Sequence, residues 1–129
     1  MKKIVVVLFA AMLAACAYKH QPIYSPSDMI PPNAQQLAPA QIEAAITSGA
    51  VADEWKVQRV DTGHLVATHE KDRHSATVDI FFDQKSWRIA YKASSELDAD
   101  PSKETIHSHY NVWIRNLERA IAARLNEAK

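Results

Sequence analysis

Between residues 54 and 93 the chain alternates apolar and polar residues in four runs, near 54–60, 64–69, 74–82 and 87–93. Alternation of this kind belongs to strands with one buried face and one wet face. The intervening loops are so short that few registers keep every apolar residue on a common side. Asp61-Thr62-Gly63, read as a three-residue loop with glycine in the left-handed conformation, sets Val57 opposite Ala67 and Trp55 opposite His69. Glu70 to Arg73, read as a four-residue loop, sets His69 opposite His74, Ala67 opposite Ala76 and Leu65 opposite Val78. Asp83 to Ser86 sets Phe82 opposite Trp87, Ile80 opposite Ile89 and Val78 opposite Tyr91. The result is an antiparallel meander. Its other side carries Lys56, Gln58, Thr68, Thr77, Asp79, Arg88 and Lys92, as expected for a sheet that is wet on one face.

The apolar face needs a cover, and the carboxyl-terminal segment supplies one. Ile106, Tyr110, Trp113, Leu117, Ile121 and Leu125 recur at helical steps, and Asp100-Pro101 and Ser102 provide start signals. A shorter helix is expected over residues 39–48, with Pro39 in its first turn, Ile42, Ala45 and Ile46 on one face, and Gly49 as the stop. The expected fold is α+β, in the order α-β-β-β-β-α. A four-stranded antiparallel meander packs a short N-terminal helix and a long C-terminal helix on one face. Residues 39–129 then make a single small domain.

Ahead of the domain, Lys2 and Lys3 precede an unbroken apolar run from Ile4 to Ala15, which leads to Cys16. This is the layout of a secretory signal, and the run falls well short of the roughly 20 apolar residues a spanning helix needs. Leu13-Ala14-Ala15-Cys16 resembles the lipobox of bacterial lipoproteins. The resemblance implies that residues 1–15 are removed, that the Cys16 thiol receives a diacylglyceryl group, and that the freed amine is acylated. Two or three acyl chains anchor stably where one does not. Ala17, standing where such proteins often carry a retention aspartate, implies an outer-membrane lipoprotein facing the periplasm. The stretch Tyr110-Asn111-Val112-Trp113-Ile114, with Leu117 beyond it, resembles a pattern of small lipoproteins of this kind and brings no activity with it.

Residues 16–38 carry Pro22, Pro26, Pro31 and Pro32 among polar residues, without helical or strand periodicity. They read as a flexible tether reaching up to about 60 Å from the lipid. The alternative is that Ile23, Tyr24, Met29 and Ile30 pack back onto the domain.

Fifteen basic residues balance fifteen acidic ones, and loss of Lys2 and Lys3 leaves the mature chain slightly acidic. No basic stripe marks a nucleic-acid partner. Cys16 is the only cysteine, so internal disulfides are excluded. With no G-x-S-x-G elbow, no cysteine in the domain, and only Gly49 and Gly63 for a phosphate cradle, no catalytic residue or cofactor is expected.

The six histidines are tested one by one for a metal site. His20 lies in the tether, and His64 begins a strand facing away from the apolar side. His107 and His109, two apart on the expected helix, point to different sides. Only His69 and His74 face one another, and with Glu70 or Asp72 they fall short of a dependable ligand set, so no metal is expected. Asp98 and Asp100 read as a solvated capping turn. Asp79 differs, because it lies mid-strand on the wet face beside Phe81, with Thr77, Arg88, His64, Val66 and Ala90 around it. That mixed surface is the candidate partner-binding face. The sequence thus reads as a lipid-anchored periplasmic module of the cell envelope with an interaction or structural role and no enzymatic one. Its partners would be the membrane, through Cys16, and another envelope protein. The alternative is a metal-handling or enzymatic protein using the hairpin histidines.

Overall fold

The computed structural model describes residues 19–129; the expected signal and Cys16 lie outside the described residues. In chain order the elements are β1 (His20–Pro22), β2 (Ser27–Met29), α1 (Pro39–Ala52), β3 (Lys56–Asp61), β4 (His64–Lys71), β5 (His74–Phe82), β6 (Ser86–Ser95), β7 (Thr105–His107) and α2 (Ser108–Glu127). The fold is α+β, as read. The main sheet, however, has five strands in the order β2-β6-β5-β4-β3, and β1 and β7 form a separate antiparallel pair. The expected count of four is corrected by the short segment 27–29, which pairs with β6.

Two of the three hairpin registers are as read from the sequence. Val57 faces Ala67, and Phe82, Ile80 and Val78 face Trp87, Ile89 and Tyr91. Gly63 adopts φ +74°, and a Cβ there would lie 2.7 Å from the Phe82 carbonyl oxygen, so both turn conformation and space demand glycine. The β4–β5 register differs by two residues. Lys71 pairs with His74 and His69 with Ala76, because Asp72 at φ +58° closes a tighter turn than the four-residue loop expected. A two-residue slip leaves every side chain on its own face, which is why the apolar face survives the correction.

The segment expected to be a tether is packed. Ile30 and Ala34 are fully buried, and Ile23, Tyr24 and Leu37 pack against the core. Its anchors are polar as well as apolar. Buried Asn111 accepts from the Tyr24 N–H at 2.9 Å and donates to the Pro22 carbonyl at 2.9 Å and Gln21 Oε1 at 3.1 Å. Asn33 Nδ2 donates to the Leu125 carbonyl at 2.9 Å and the Ala128 carbonyl at 3.0 Å, satisfying acceptors that the end of α2 leaves open.

Both helices differ from expectation at one end. α1 runs through Gly49 to Ala52, since Gly49 sits where the helix crosses α2 and any side chain would meet Ala120 and Ile121. α2 begins at Ser108, because Ile106 belongs to β7 and the His107 ring accepts from the His109 N–H at 3.1 Å as an N-terminal cap. Its buried stripe is Tyr110, Asn111, Ile114, Leu117, Ile121 and Leu125, with Trp113 only partly covered. Ile42, Ile46 and Ala50 of α1 join that stripe over Leu65, Ala67, Ala76, Val78, Ile80, Trp87 and Ile89 of the sheet. Each fully buried aliphatic residue contributes about 1.5–3 kcal/mol. Among the described residues no helix is long and apolar enough to cross a membrane.

Candidate interaction face

With the helices on one side of the main sheet, strand parity decides what the other side shows. It carries His64, Val66 and Thr68 from β4, Thr77, Asp79 and Phe81 from β5, and Arg88, Ala90 and Lys92 from β6. Register then makes them neighbours. His64 lies opposite Phe81, Val66 opposite Asp79, Thr68 opposite Thr77, and Phe81 opposite Arg88.

The side chains interlock across these rungs. His64 Nε2 donates to Asp79 Oδ1 at 2.7 Å, a diagonal contact between adjacent strands, and Lys92 Nζ stands 4.0 Å from the same oxygen. The His64 ring stacks on Phe81 with centroids 4.4 Å apart, and the Arg88 guanidinium carbon lies 4.2 Å from the Phe81 centroid. Phe81 is therefore held between an imidazole and a guanidinium. The Thr68 and Thr77 hydroxyls meet at 3.2 Å beside them. This arrangement offers fixed N–H and O–H donors around an aromatic ring.

Thr77, Asp79, Phe81 and Arg88, read from the sequence as one face, do share that surface, and His64 joins them. The approach of Lys92 to Asp79 was not anticipated, because a register shift between Thr77 and Val78 re-aims this part of β6.

The histidines are arranged otherwise than expected. His69 and His74 are not opposed. His69 is buried between Trp55, at 5.2 Å, and Trp113, at 4.7 Å, and its Nδ1 donates to the Glu54 carbonyl at 3.2 Å. His107 and His109 do not diverge. Their rings lie 4.4 Å apart because His107 ends a strand rather than occupying a helical turn, and His74 stands 6.3 Å from His109. His20 is not in a tether but opposite His107 in the β1–β7 pair. Burial, and next the neighbouring His109, lower the His107 pKa. Among the described residues no three histidine, cysteine or acidic side chains are placed to hold one ion. Asp98 and Asp100 do form a turn before β7, in which Asp100 accepts from the Ser102 N–H at 3.0 Å and hydroxyl at 2.6 Å.

A second acidic pair was not legible in the sequence. Asp28 of β2 hydrogen-bonds Glu118 of α2, which with burial pushes the Asp28 carboxyl up to about 6. The Tyr24 hydroxyl donates to Glu118 Oε1 at 2.7 Å. Comparison with protein families, curated proteins and solved structures finds no match to this chain.

Proposed function

We propose that the chain is an exported lipoprotein, acylated on Cys16 and held at the outer membrane facing the periplasm. In this reading its folded part is a non-enzymatic interaction module that presents the outer face of β4, β5 and β6 to another envelope protein. The observation that carries the docking face is Phe81 held between His64 and Arg88, with Asp79 fixing His64. Aromatic residues and arginine are the types enriched where interfaces concentrate their binding energy. Stability is a poor reason for the cluster, since ion pairs this near the surface contribute at most about 1 kcal/mol. The anchor rests on the lipobox-like Leu13-Ala14-Ala15-Cys16. Metal handling by hairpin histidines has lost its geometric support, because His69 and His74 do not face each other.

Two experiments test the reading. Fatty-acid labelling should mark the wild type and not Cys16→Ser; label retained by the variant refutes the anchor. A photo-crosslinking residue at position 81 or 88 should give one discrete adduct in intact cells, whereas position 124, on the exposed side of α2, should give none. Asp79→Ala should weaken the adduct while changing stability by less than about 1 kcal/mol. Equal crosslinking from all three positions would remove the case for this face.

A further inference from the structure

At the end of the sheet away from His64 and Phe81, the turn from α1 into β3 builds a second arrangement. Asp53, Glu54 and Trp55 follow the helix, and Glu54 takes φ +67°, a left-handed conformation that costs a non-glycine residue about 1–2 kcal/mol. The strained turn aims two groups. Asp53 Oδ2 accepts from the Trp55 indole N–H at 3.1 Å, and the Glu54 carbonyl accepts from His69 Nδ1 at 3.2 Å. Because a carbonyl can only accept, the neutral His69 ring carries its proton on Nδ1 and leaves a lone pair on Nε2.

That lone pair has no partner among the described residues, although His69 is only 9% exposed. Nε2 is not sealed in the core, where Tyr110 Oη is the sole fully buried side-chain polar atom without a partner among the described residues. His69 borders a cleft of about 360 Å³ together with the partly exposed Trp113 and Val112. Asp53 and Glu54 of the turn stand on this cleft against one basic residue, Lys71, while Glu70, which alternates with His69 along β4, turns its side chain to the outer face. The chemistry narrows the occupant. A lone acceptor nitrogen demands an N–H or O–H donor, the excess of carboxylates favours positive charge, and the indole and valine walls favour an alkyl or planar group. A metal ion fits poorly, since among the described residues no three ligating side chains are placed to hold one.

We infer that the cleft between the α1–β3 turn, β4 and α2 is a binding site for a small organic cation with N–H donors, a primary alkylammonium group, which donates to His69 Nε2 while its chain lies against Trp113. Burial holds the Asp53 carboxyl above its usual range, and a bound cation would reverse that shift. The site is independent of the outer sheet face and of the lipid anchor.

The test is NMR titration of the full-length protein in detergent micelles with n-butylammonium, following the Trp55 and Trp113 indole N–H signals and the His69 ring nitrogens. Saturable shifts confined to these groups are expected, with 1-butanol and butyrate giving none. His69→Phe keeps a ring between the two indoles and should weaken binding at least tenfold, as loss of a buried hydrogen bond to a charged group does. Glu54→Gln, at an exposed position of the turn, should weaken it about threefold without touching the fold, and decides alone if His69→Phe does not fold. Absence of saturable shifts, equal binding of 1-butanol, or undiminished affinity in the folded variants would overturn the inference.

Discussion

Gly49→Ala separates two roles for glycine in a helix. A Cβ built on Gly49 would lie 2.6 Å from the Ala120 carbonyl oxygen and 2.7 Å from Ile121 Cα, whereas ordinary contacts begin at 3.4 Å. Both obstacles are backbone, so no rotamer change relieves them. The helices would have to part by about 0.8 Å, and gaps of that order forfeit a quarter to a half of the dispersion energy of each contact they open. Ile42, Ile46 and Ala50 would all loosen against α2. Overpacking of this kind costs up to about 3 kcal/mol, and the better helix propensity of alanine returns about 1 kcal/mol, leaving a net loss near 2 kcal/mol. In a urea melt with a slope of about 1.5 kcal/mol/M, the midpoint should fall by about 1.3 M. Ala44→Gly, at an exposed position of the same helix, should cost about 1 kcal/mol through propensity alone. Stabilisation by Gly49→Ala of about 1 kcal/mol, the mirror image of that control, would show that Gly49 is not a packing glycine.

The hydroxyl of Tyr110 is fully buried without a partner among the described residues, so Tyr110→Phe should raise stability by about 1 kcal/mol in the same melt; a loss of that size would reveal a hidden partner. Asp28, raised to about 6 by Glu118 and burial, binds its proton more tightly folded than unfolded, where the carboxyl titrates near 3.9. Its stabilising contribution is therefore full below about pH 4 and is lost as pH rises through about 6, and solvent screening limits the effect to about 1 kcal/mol. Melts of Asp28→Asn should lack that decline, and an unchanged pH profile would dismiss the pair. Asn111→Ala removes hydrogen bonds to Pro22 and Tyr24 and should cost about 2–3 kcal/mol while accelerating amide exchange at Ile23 and Tyr24; a cost below about 1 kcal/mol would mean that the segment is held by apolar contacts alone.

The parts legible in the sequence are those where alternation and loop length act together. The Val57–Ala67 and Ile80–Ile89 rungs have one solution that keeps Leu65, Ala67, Val78, Ile80 and Ile89 together on the buried face, and the outer cluster follows because Asp79, Phe81 and Arg88 share parity. The β4–β5 rung was misplaced because a two-residue slip is invisible to facing, and Asp72 in a left-handed turn carries a weaker signature than Asn-Gly. β1 and β2 were missed for another reason. Three residues are too few to show a period, and what holds this segment is backbone pairing together with bonds from Asn33 to Leu125 and from Asn111 to Pro22, between residues far apart in the sequence. The His69 cleft was equally hidden, since His69 and Trp113 meet only once α2 lies on the sheet.

Packing of the amino-terminal segment changes what the proposed anchor can do. A free tether would place the domain up to about 60 Å from the lipid. With β1 beginning at His20, only three residues separate Cys16 from the folded unit, and four extended steps span about 14 Å. Acylation of Cys16 would then hold the β1–β7 end, with His20 and His107, at the bilayer surface, and any partner of the outer sheet face would have to stand beside the domain near the same membrane. The geometry can be measured on the acylated protein in vesicles carrying headgroup spin labels. Amides of His20–Pro22 and Thr105–His107 should broaden before the rest of the domain, and a ten-residue Gly-Ser insertion after Ala17 should erase that preference. Uniform broadening, or a preference that survives the insertion, would show that the short connection does not set the orientation.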